Sequence, residues 1–333
     1  MKNDSPTILV VKYRALGDSV MGLSTISYLR SIYPNSKIYY GVRGWTAKLY
    51  EEIKTDADGI IPLSIESISD YVKFYRILKE LKIDHVHEMH LSGRTKKFFT
   101  FFKYILGFNY TFHNHHERKG EVLDQGMIKP LIQRDLDGAY TYLGKNGMVP
   151  SYLNFEPSFK NLSGAQKARV ILGVVATRET KMWSLENYVA LAHLIKNGFP
   201  EVEISVPLSN SAEDKRIEEK LNILDKENSL EIVRVDLSKL PNYFHQSKLY
   251  IGNDTGLKHI AIASGIKSYT LFGPEPPNEW HPYSQAKHPY FYIEGLECRT
   301  QTAHYCGLST CESMICMSMT TPENVFEQIK KDI

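Results

Sequence analysis

Three short stretches place hydroxyls, cations and carboxylates where a strand-like run gives way to a helical one. In "YIGNDTGLKHIAIASG" (250–265) an Asp254-Thr255-Gly256 corner follows an apolar run and opens a helical pattern carrying His259. A helix start offers unpaired N–H groups and the positive end of the helix dipole, so it attracts anions. Gly256 allows close approach to the backbone there, and the Thr255 hydroxyl adds a donor. The competing reading is an ordinary N-cap, since Asp and Thr serve that purpose in any helix. In "VVATRETKMWSLENY" (174–188), Thr177, Arg178 and Lys181 cluster between another strand and its helix. Lys181 supplies a point charge for phosphate and Thr177 a hydroxyl, against the alternative of a solvated loop with incidental charge. Trp183 reads as packing. In "KYRALGDSV" (12–20), Asp18 follows the first strand-like run, where a carboxylate is either a cap or a general base.

These corners need strands and helices to hold them. Short runs, "TILVVKYR", "KIYYGV", "GIIPL", "IDHVHEM" and "FNYTF", alternate with helical segments, the first of which runs from Gly17 to Pro34. Polar linker composition follows over 151–167. The alternation then restarts with "ARVILGVVA", a helix ended by Gly198, "VEISVPL", "LEIVRV", "SKLYIGN" and "SYTLFG". Strands alternating with helices mean βαβ units and a mostly parallel sheet, and ligands of such sheets bind beyond the carboxyl ends of the strands. The expected fold class is α/β, with two Rossmann-like parallel-sheet domains of similar size facing each other across a cleft. Their expected ranges are 1–157 and 158–320, with a closing helix over 321–333 that packs back on the first domain.

The 333 residues suffice for real cores, and 42% hydrophobic with 23% charged residues is an ordinary globular mixture. A net charge of +2 argues against a polyanion-coating, nucleic-acid-binding protein. With no signal-like N-terminal segment and no apolar run long enough to span a bilayer, the expected location is the cytoplasm. The first βα turn lacks G-x-G-x-x-G, which disfavours a dehydrogenase.

All four cysteines, Cys298, Cys306, Cys311 and Cys316, fall near the end, at intervals unlike a zinc ribbon. They read either as reduced thiols or as a structural iron or zinc site. The histidines of "DHVHEMH" and "FHNHHERKG" (His85, His87, His90, His113, His115, His116) read as structural or acceptor-facing rather than as metal ligands. The segment "RTKKFFTFFKYILGF" (94–108) combines basic and aromatic residues, but its apolar positions cover more than half the helix circumference, so the expectation is burial in the first domain.

The blocks "RALGDSVMGLSTISYLRSIYPNSKI", "TRETKMWSLENY" and "GNDTGLKHIAIASGIKSYTLFGPEPPNEWHPY", in order and spacing over nearly the whole chain, resemble the signature blocks of the bacterial heptosyltransferases, glycosyltransferase family 9. The tail "CMSMTTPENV" is similar to that family's as well. The resemblance implies a GT-B fold and inverting, metal-independent transfer of a heptose from ADP-heptose, with no cofactor required. The donor would lie on the C-terminal domain and a lipid-linked glycan acceptor, at the inner membrane surface, on the N-terminal one. It makes Asp18 the catalytic base and Lys181 catalytic. It assigns Thr177, Arg178, Asp254, Thr255, Gly256 and His259 to the donor, with Glu213 as a ribose-binding acid. Lys12, Arg14 and Arg94 stand on the acceptor side, and Arg94, Lys96 and Lys97 would meet an anionic acceptor. The sequence departs from the family pattern at Ala176, where a second Thr is expected, at Ser24 in place of Pro, and at Lys258, bulkier and more charged than expected.

Breaking a sugar–phosphate bond leaves positive charge on the ring and negative charge on the departing diphosphate. Lys181, Thr177 and the amides at Thr255-Gly256 would stabilise the latter. Asp18, a weak base for an alcohol, would take the acceptor proton late, as the new bond forms. Two alternatives differ in class: a protein O-heptosyltransferase of the same fold with a cysteine-bound metal, and a non-catalytic nucleotide-sugar-binding protein.

Overall fold

The computed structural model describes residues 5–114, 129–144, 148–299, 306, 308 and 310–333. The chain divides into two compact units, Met1–Lys160 and Asn161–Ile333.

In the first unit the apolar, β-branched run Ile8–Lys12 becomes β1, followed by α1 (Leu16–Met21), α2 (Leu23–Ile32), β2 (Ile38–Arg43) and β3 (Gly59–Leu63). Then come α3 (Ile68–Leu81), β4 (His85–Glu88), α4 (Gly93–Leu106), β5 (Asn109–Phe112) and α5 (Leu131–Leu143). The sheet order is β3-β2-β1-β4-β5 and every pairing is parallel. All five residues of β1 are buried, as expected of a strand covered on both faces. The single helix expected from Gly17 to Pro34 is in fact two. They meet at Gly22, where a Cβ would stand 2.1 Å from Tyr40 Oη. That hydroxyl donates to the Ser19 carbonyl at 2.7 Å, so the break makes room for a buried tyrosine.

The expected burial of 94–108 holds for one face only. Phe98, Phe99 and Phe102 of α4 enter a core with Phe74 and Leu78 of α3, whereas Phe101, Tyr104 and Ile105 are exposed. Ser92 caps α4 reciprocally with Thr95, and Gly107 closes it at φ 76°.

The second unit runs β6 (Arg169–Gly173), α6 (Leu185–Gly198), β7 (Glu203–Pro207), α7 (Ala212–Leu224), β8 (Glu231–Val233), α8 (Leu240–His245) and β9 (Leu249–Asn253). It continues with α9 (Gly256–Ala263), β10 (Lys267–Leu271), α10 (Pro277–Trp280), β11 (Tyr290–Phe291), α11 (Ile315–Ser318) and α12 (Pro322–Ile329). Its parallel sheet has the order β11-β10-β9-β6-β7-β8. Here β6 and β9 are central, so the 174–183 loop and the 254–256 corner emerge side by side at the carboxyl end.

The division falls slightly beyond the expected 157/158 boundary. Phe159 is buried edge-on against Tyr50 at 6.2 Å, and Lys160 bridges to Lys54 and pairs with Asp56. These residues therefore belong to the first unit. The closing helix, expected to return to the first domain, instead buries Val325 and Ile329 in the second unit's core beside Leu191 and Ile195.

Candidate active site

Strand β9 ends in Asn253, whose side chain does the joining. Its Nδ2 donates to the Val174 carbonyl at 2.9 Å and its Oδ1 accepts from the Trp183 N–H at 3.0 Å. One buried amide thus ties both ends of the 174–183 loop to the 254–256 corner. Trp183 is buried and donates its indole N–H to the Thr320 carbonyl at 2.8 Å, which makes it a packing residue, as expected.

Next in the chain, Asp254 binds two lysines: Lys181 Nζ at 2.8 Å on one oxygen and Lys258 Nζ at 2.5 Å on the other. Burial alone would push the Asp254 carboxyl up, but Lys181 and then Lys258 override it and hold it far below the usual carboxylate range. Lys258 has no exposed surface; it also donates to the Trp280 carbonyl at 3.0 Å and lies 4.8 Å from the Phe272 ring centre. Burial lowers its basicity and Asp254 restores part of it. Two ammonium groups against one carboxylate leave the cluster with positive charge in excess. Lys181 is the cation of the two that reaches solvent.

Thr255 is the N-cap of α9 but makes no side-chain capping bond; its hydroxyl lies beside Tyr250 Oη without completing a hydrogen bond. The first turn of α9, Thr255 to Leu257, stays partly open to solvent. His259 is buried and bonds through Nδ1 to the Tyr283 hydroxyl. Burial, then the charge of Lys258, keeps its imidazole neutral. Arg178 pairs with Glu275, whose carboxyl is raised by burial and pulled back by Lys181 and Arg178. Thr177 is exposed at the rim. Glu213, in the first turn of α7, lines a groove with Arg216, Glu179 and Met182, next to the loop rather than in the lysine cluster.

In the first unit, Asp18 is half-buried in α1, directly beyond the carboxyl end of β1. Lys12 does not face solvent as an acceptor-side cation must: its ammonium is 1% exposed and spent on Asp135 at 2.5 Å. Burial would raise the Asp135 carboxyl, but Lys12 and His113 hold it low. The chain of contacts continues from Asp135 to His113 Nε2 at 3.2 Å, from His113 Nδ1 to His87 Nε2 at 3.0 Å, and from His87 Nδ1 to Thr111 Oγ1 at 2.9 Å. Burial depresses His85 to about 4 and His87 further, so both are neutral packing groups, in line with the structural reading. His115 and His116 lie outside the described residues. Arg14 is half-buried, and Arg94 is exposed in the first turn of α4.

A family model described as glycosyltransferase family 9 (heptosyltransferase) matches residues 120–305, more than half the chain. The chain belongs to glycosyltransferase family 9. A lipopolysaccharide heptosyltransferase 1 from Campylobacter coli is 29% identical over 112 residues, which is 33% of this chain and 33% of that protein. The match therefore spans a third of the curated relative's length. The fold is shared more widely. The E. coli ADP-heptose lipopolysaccharide heptosyltransferase II superposes with a TM-score of 0.74 at 19% identity, covering 98% of each chain. E. coli heptosyltransferase WaaC with ADP superposes at 0.70 and 15% identity, covering 98% of this chain and 100% of that one. The two parallel-sheet α/β units are thus those of the GT-B fold.

For a family 9 chain, the surprise is Lys258. The sequence marks it as a departure, but the structure makes it a buried partner of the carboxylate that holds Lys181. Glu275 and Tyr283 were missed; both stand in the quoted "FGPEPPNEWHPY" block, and the only signal was an acid and a phenol close after a strand end. The cysteines give no defined ligand set. Cys298 is exposed and the other three are half-buried. Among the described residues, no three His, Cys, Asp or Glu side chains converge closely enough to hold a metal ion.

Proposed function

We propose that this chain is an inverting glycosyltransferase. It moves heptose from ADP-heptose to a hydroxyl of a lipid-linked acceptor in lipopolysaccharide inner-core assembly, in the cytoplasm at the inner membrane surface. The carrying observation is the Lys181–Asp254–Lys258 cluster at the open first turn of α9. It sets excess positive charge beside the first turn of a helix, where backbone N–H groups have no intrahelical partner, at the carboxyl end of β9. Such a corner suits a diphosphate, and it suits the diphosphate best as negative charge builds on it.

In this reading Asp254 does not touch the donor; it positions Lys181. Lys181, Thr255 and Thr177 meet the phosphate oxygens, and Glu213, along the adjoining groove, takes the ribose. The bond from the sugar carbon to the diphosphate oxygen breaks, the electron pair leaves with ADP, and the acceptor oxygen bonds to the opposite face of that carbon. Asp18 takes the acceptor's proton. Charge on the leaving group is thereby met by the protein's own cations. The test is a paired one. Asp18→Ala abolishes transfer and leaves ADP-induced stabilisation intact, whereas Lys181→Ala weakens both, by on the order of tenfold in ADP affinity. Equal loss of ADP binding in the two variants would overturn the assignment.

A second reading, a protein O-heptosyltransferase with cysteine-bound metal, has one observation behind it. Cys298, Cys306, Cys311 and Cys316 fall close together in the chain, and all but Cys298 are half-buried. As placed they do not form a site, and no step runs through a metal. Elemental analysis of the purified protein decides: iron and zinc well below one atom per chain end this reading.

A further inference from the structure

The outward face of α3 and α4 is unlike the rest of the first unit's surface. Ile68 is 85% exposed, Tyr104 83% and Phe101 55%, where burial would normally be worth most to such side chains. Between the helices runs an apolar groove lined by Ile68, Val72 and Tyr75 of α3 and Phe101, Phe102 and Ile105 of α4. The inner sides of the same helices are locked by an aromatic stack, with Phe98 at 4.7 Å from Tyr71 and 5.0 Å from Phe74 and Phe102. The exposed side chains therefore stand on a rigid base rather than on loosely held helices.

Charge on this face is mostly positive. Helix α4 carries Arg94, Lys96, Lys97 and Lys103, all exposed, and no acid. Helix α3 adds exposed Lys73, Arg76 and Lys79; of its two acids, Asp70 is turned into the capping box with Ser67, leaving Glu80 in the last turn. Among the described residues no helix is long and apolar enough to cross a membrane. Large apolar side chains flanked by an excess of lysines and arginines match an anionic bilayer surface. There the apolar groups enter the headgroup boundary and each cation adds roughly fivefold to partitioning.

We propose that the outer face of α3 and α4 docks this chain on membranes containing anionic phospholipid. The proposal deepens the reading of a lipid-linked acceptor and draws its biological sense from that reading. Its test needs neither donor nor acceptor, so the two can fail separately. The full chain is sedimented with vesicles of phosphatidylglycerol and phosphatidylethanolamine, and in parallel with vesicles of phosphatidylcholine. Wild type is expected to pellet with the anionic vesicles alone and to be released by salt. Phe101→Ser/Ile105→Ser should lower the partition coefficient on the order of tenfold or more, and Lys97→Gln/Lys103→Gln about 25-fold. Because the substituted side chains are exposed, both variants should keep the wild-type melting temperature and circular dichroism. The serine variant should also keep its stabilisation by ADP. Equal pelleting with neutral and anionic vesicles, no pelleting, or variants that bind like wild type would overturn the proposal. So would a self-associated wild type that the serine variant splits to monomers without any vesicle binding; that result would assign the face to a second copy of the chain.

Discussion

Replacing Asp254 with asparagine keeps the size of the side chain and removes the one negative charge between two lysines. The larger consequence falls on Lys258. With no exposed surface, it keeps a neutral amide oxygen, the Trp280 carbonyl at 3.0 Å and the Phe272 ring at 4.8 Å, and water cannot supply the missing charge balance. Breaking a buried pair by deleting one partner costs about 3–5 kcal/mol. Lys181, which reaches solvent, adds at most about 1 kcal/mol. For a unit of this size, 3–5 kcal/mol lowers Tm by roughly 6–20 °C. The pH dependence fixes the cause. Burial depresses the Lys258 ammonium in the folded chain, and it falls further without Asp254, whereas the unfolded chain keeps its ordinary value near about 10.4. Stability contributed by such a group is fully present above the unfolded value and lost as pH falls through the folded one. The deficit of Asp254→Asn should thus shrink between about pH 7 and about pH 9.5. Adding Lys258→Met should recover all but about 1 kcal/mol by removing the stranded charge. Urea unfolding of the three proteins at both pH values measures this. The reasoning fails if Asp254→Asn lies within about 1 kcal/mol of wild type at neutral pH, if its deficit grows with pH, or if the second substitution deepens it.

Two further substitutions probe the first unit. Glu88 is buried at the end of β4; burial raises its carboxyl from 4.5 to about 7, against hydrogen bonds from Thr95 and Tyr110. A raised carboxyl gives stability that is present below the unfolded value and lost as pH rises through about 7. Glu88→Gln should therefore match wild type near about pH 4.5 and exceed it by up to about 3 kcal/mol near about pH 8, read by urea unfolding at both. A Cβ on Gly138 would stand 2.2 Å from His113 Nδ1, so Gly138→Ala must displace the ring that links Asp135 to His87. A loss of about 1–3 kcal/mol is expected in thermal unfolding, and a change within about 0.5 kcal/mol would show that the ring moves freely.

The sheets were legible in the sequence because both faces of a parallel strand are buried, and "TILVV" or "KLYIG" advertises that directly. The two-residue strand β11 lacks such a run and was not foreseen. The break at Gly22 was not legible either: it depends on a tyrosine from the next strand, a contact that periodicity along α1 and α2 cannot encode. The Asp254-Thr255-Gly256 corner was read correctly as a strand end with a helix start, but its wiring was not. Which of Lys181 and Lys258 reaches solvent is decided by Trp280 and Phe272 closing over one of them, more than ten residues downstream. Lys12 shows the same limit from the other side. A lysine at the end of a strand looks free until α5 brings Asp135 against it.

That last contrast bears on how the two units divide the chemistry. Each ends a central strand near a lysine–aspartate pair, yet the pairs are built to opposite purposes. Lys12 and Asp135 are both 1% exposed and extended inward by His113 and His87, with burial holding His87 neutral, so this network offers no charge to a ligand. Lys181 is 14% exposed and shares its carboxylate with a second, wholly buried lysine, so the field at the surface is net positive. A network whose buried charges are balanced among themselves presents no net charge to a neutral hydroxyl substrate. An open, cation-rich corner suits a diphosphate. The way each buried charge is balanced is thus in keeping with the proposal that the donor binds the second unit and the acceptor the first.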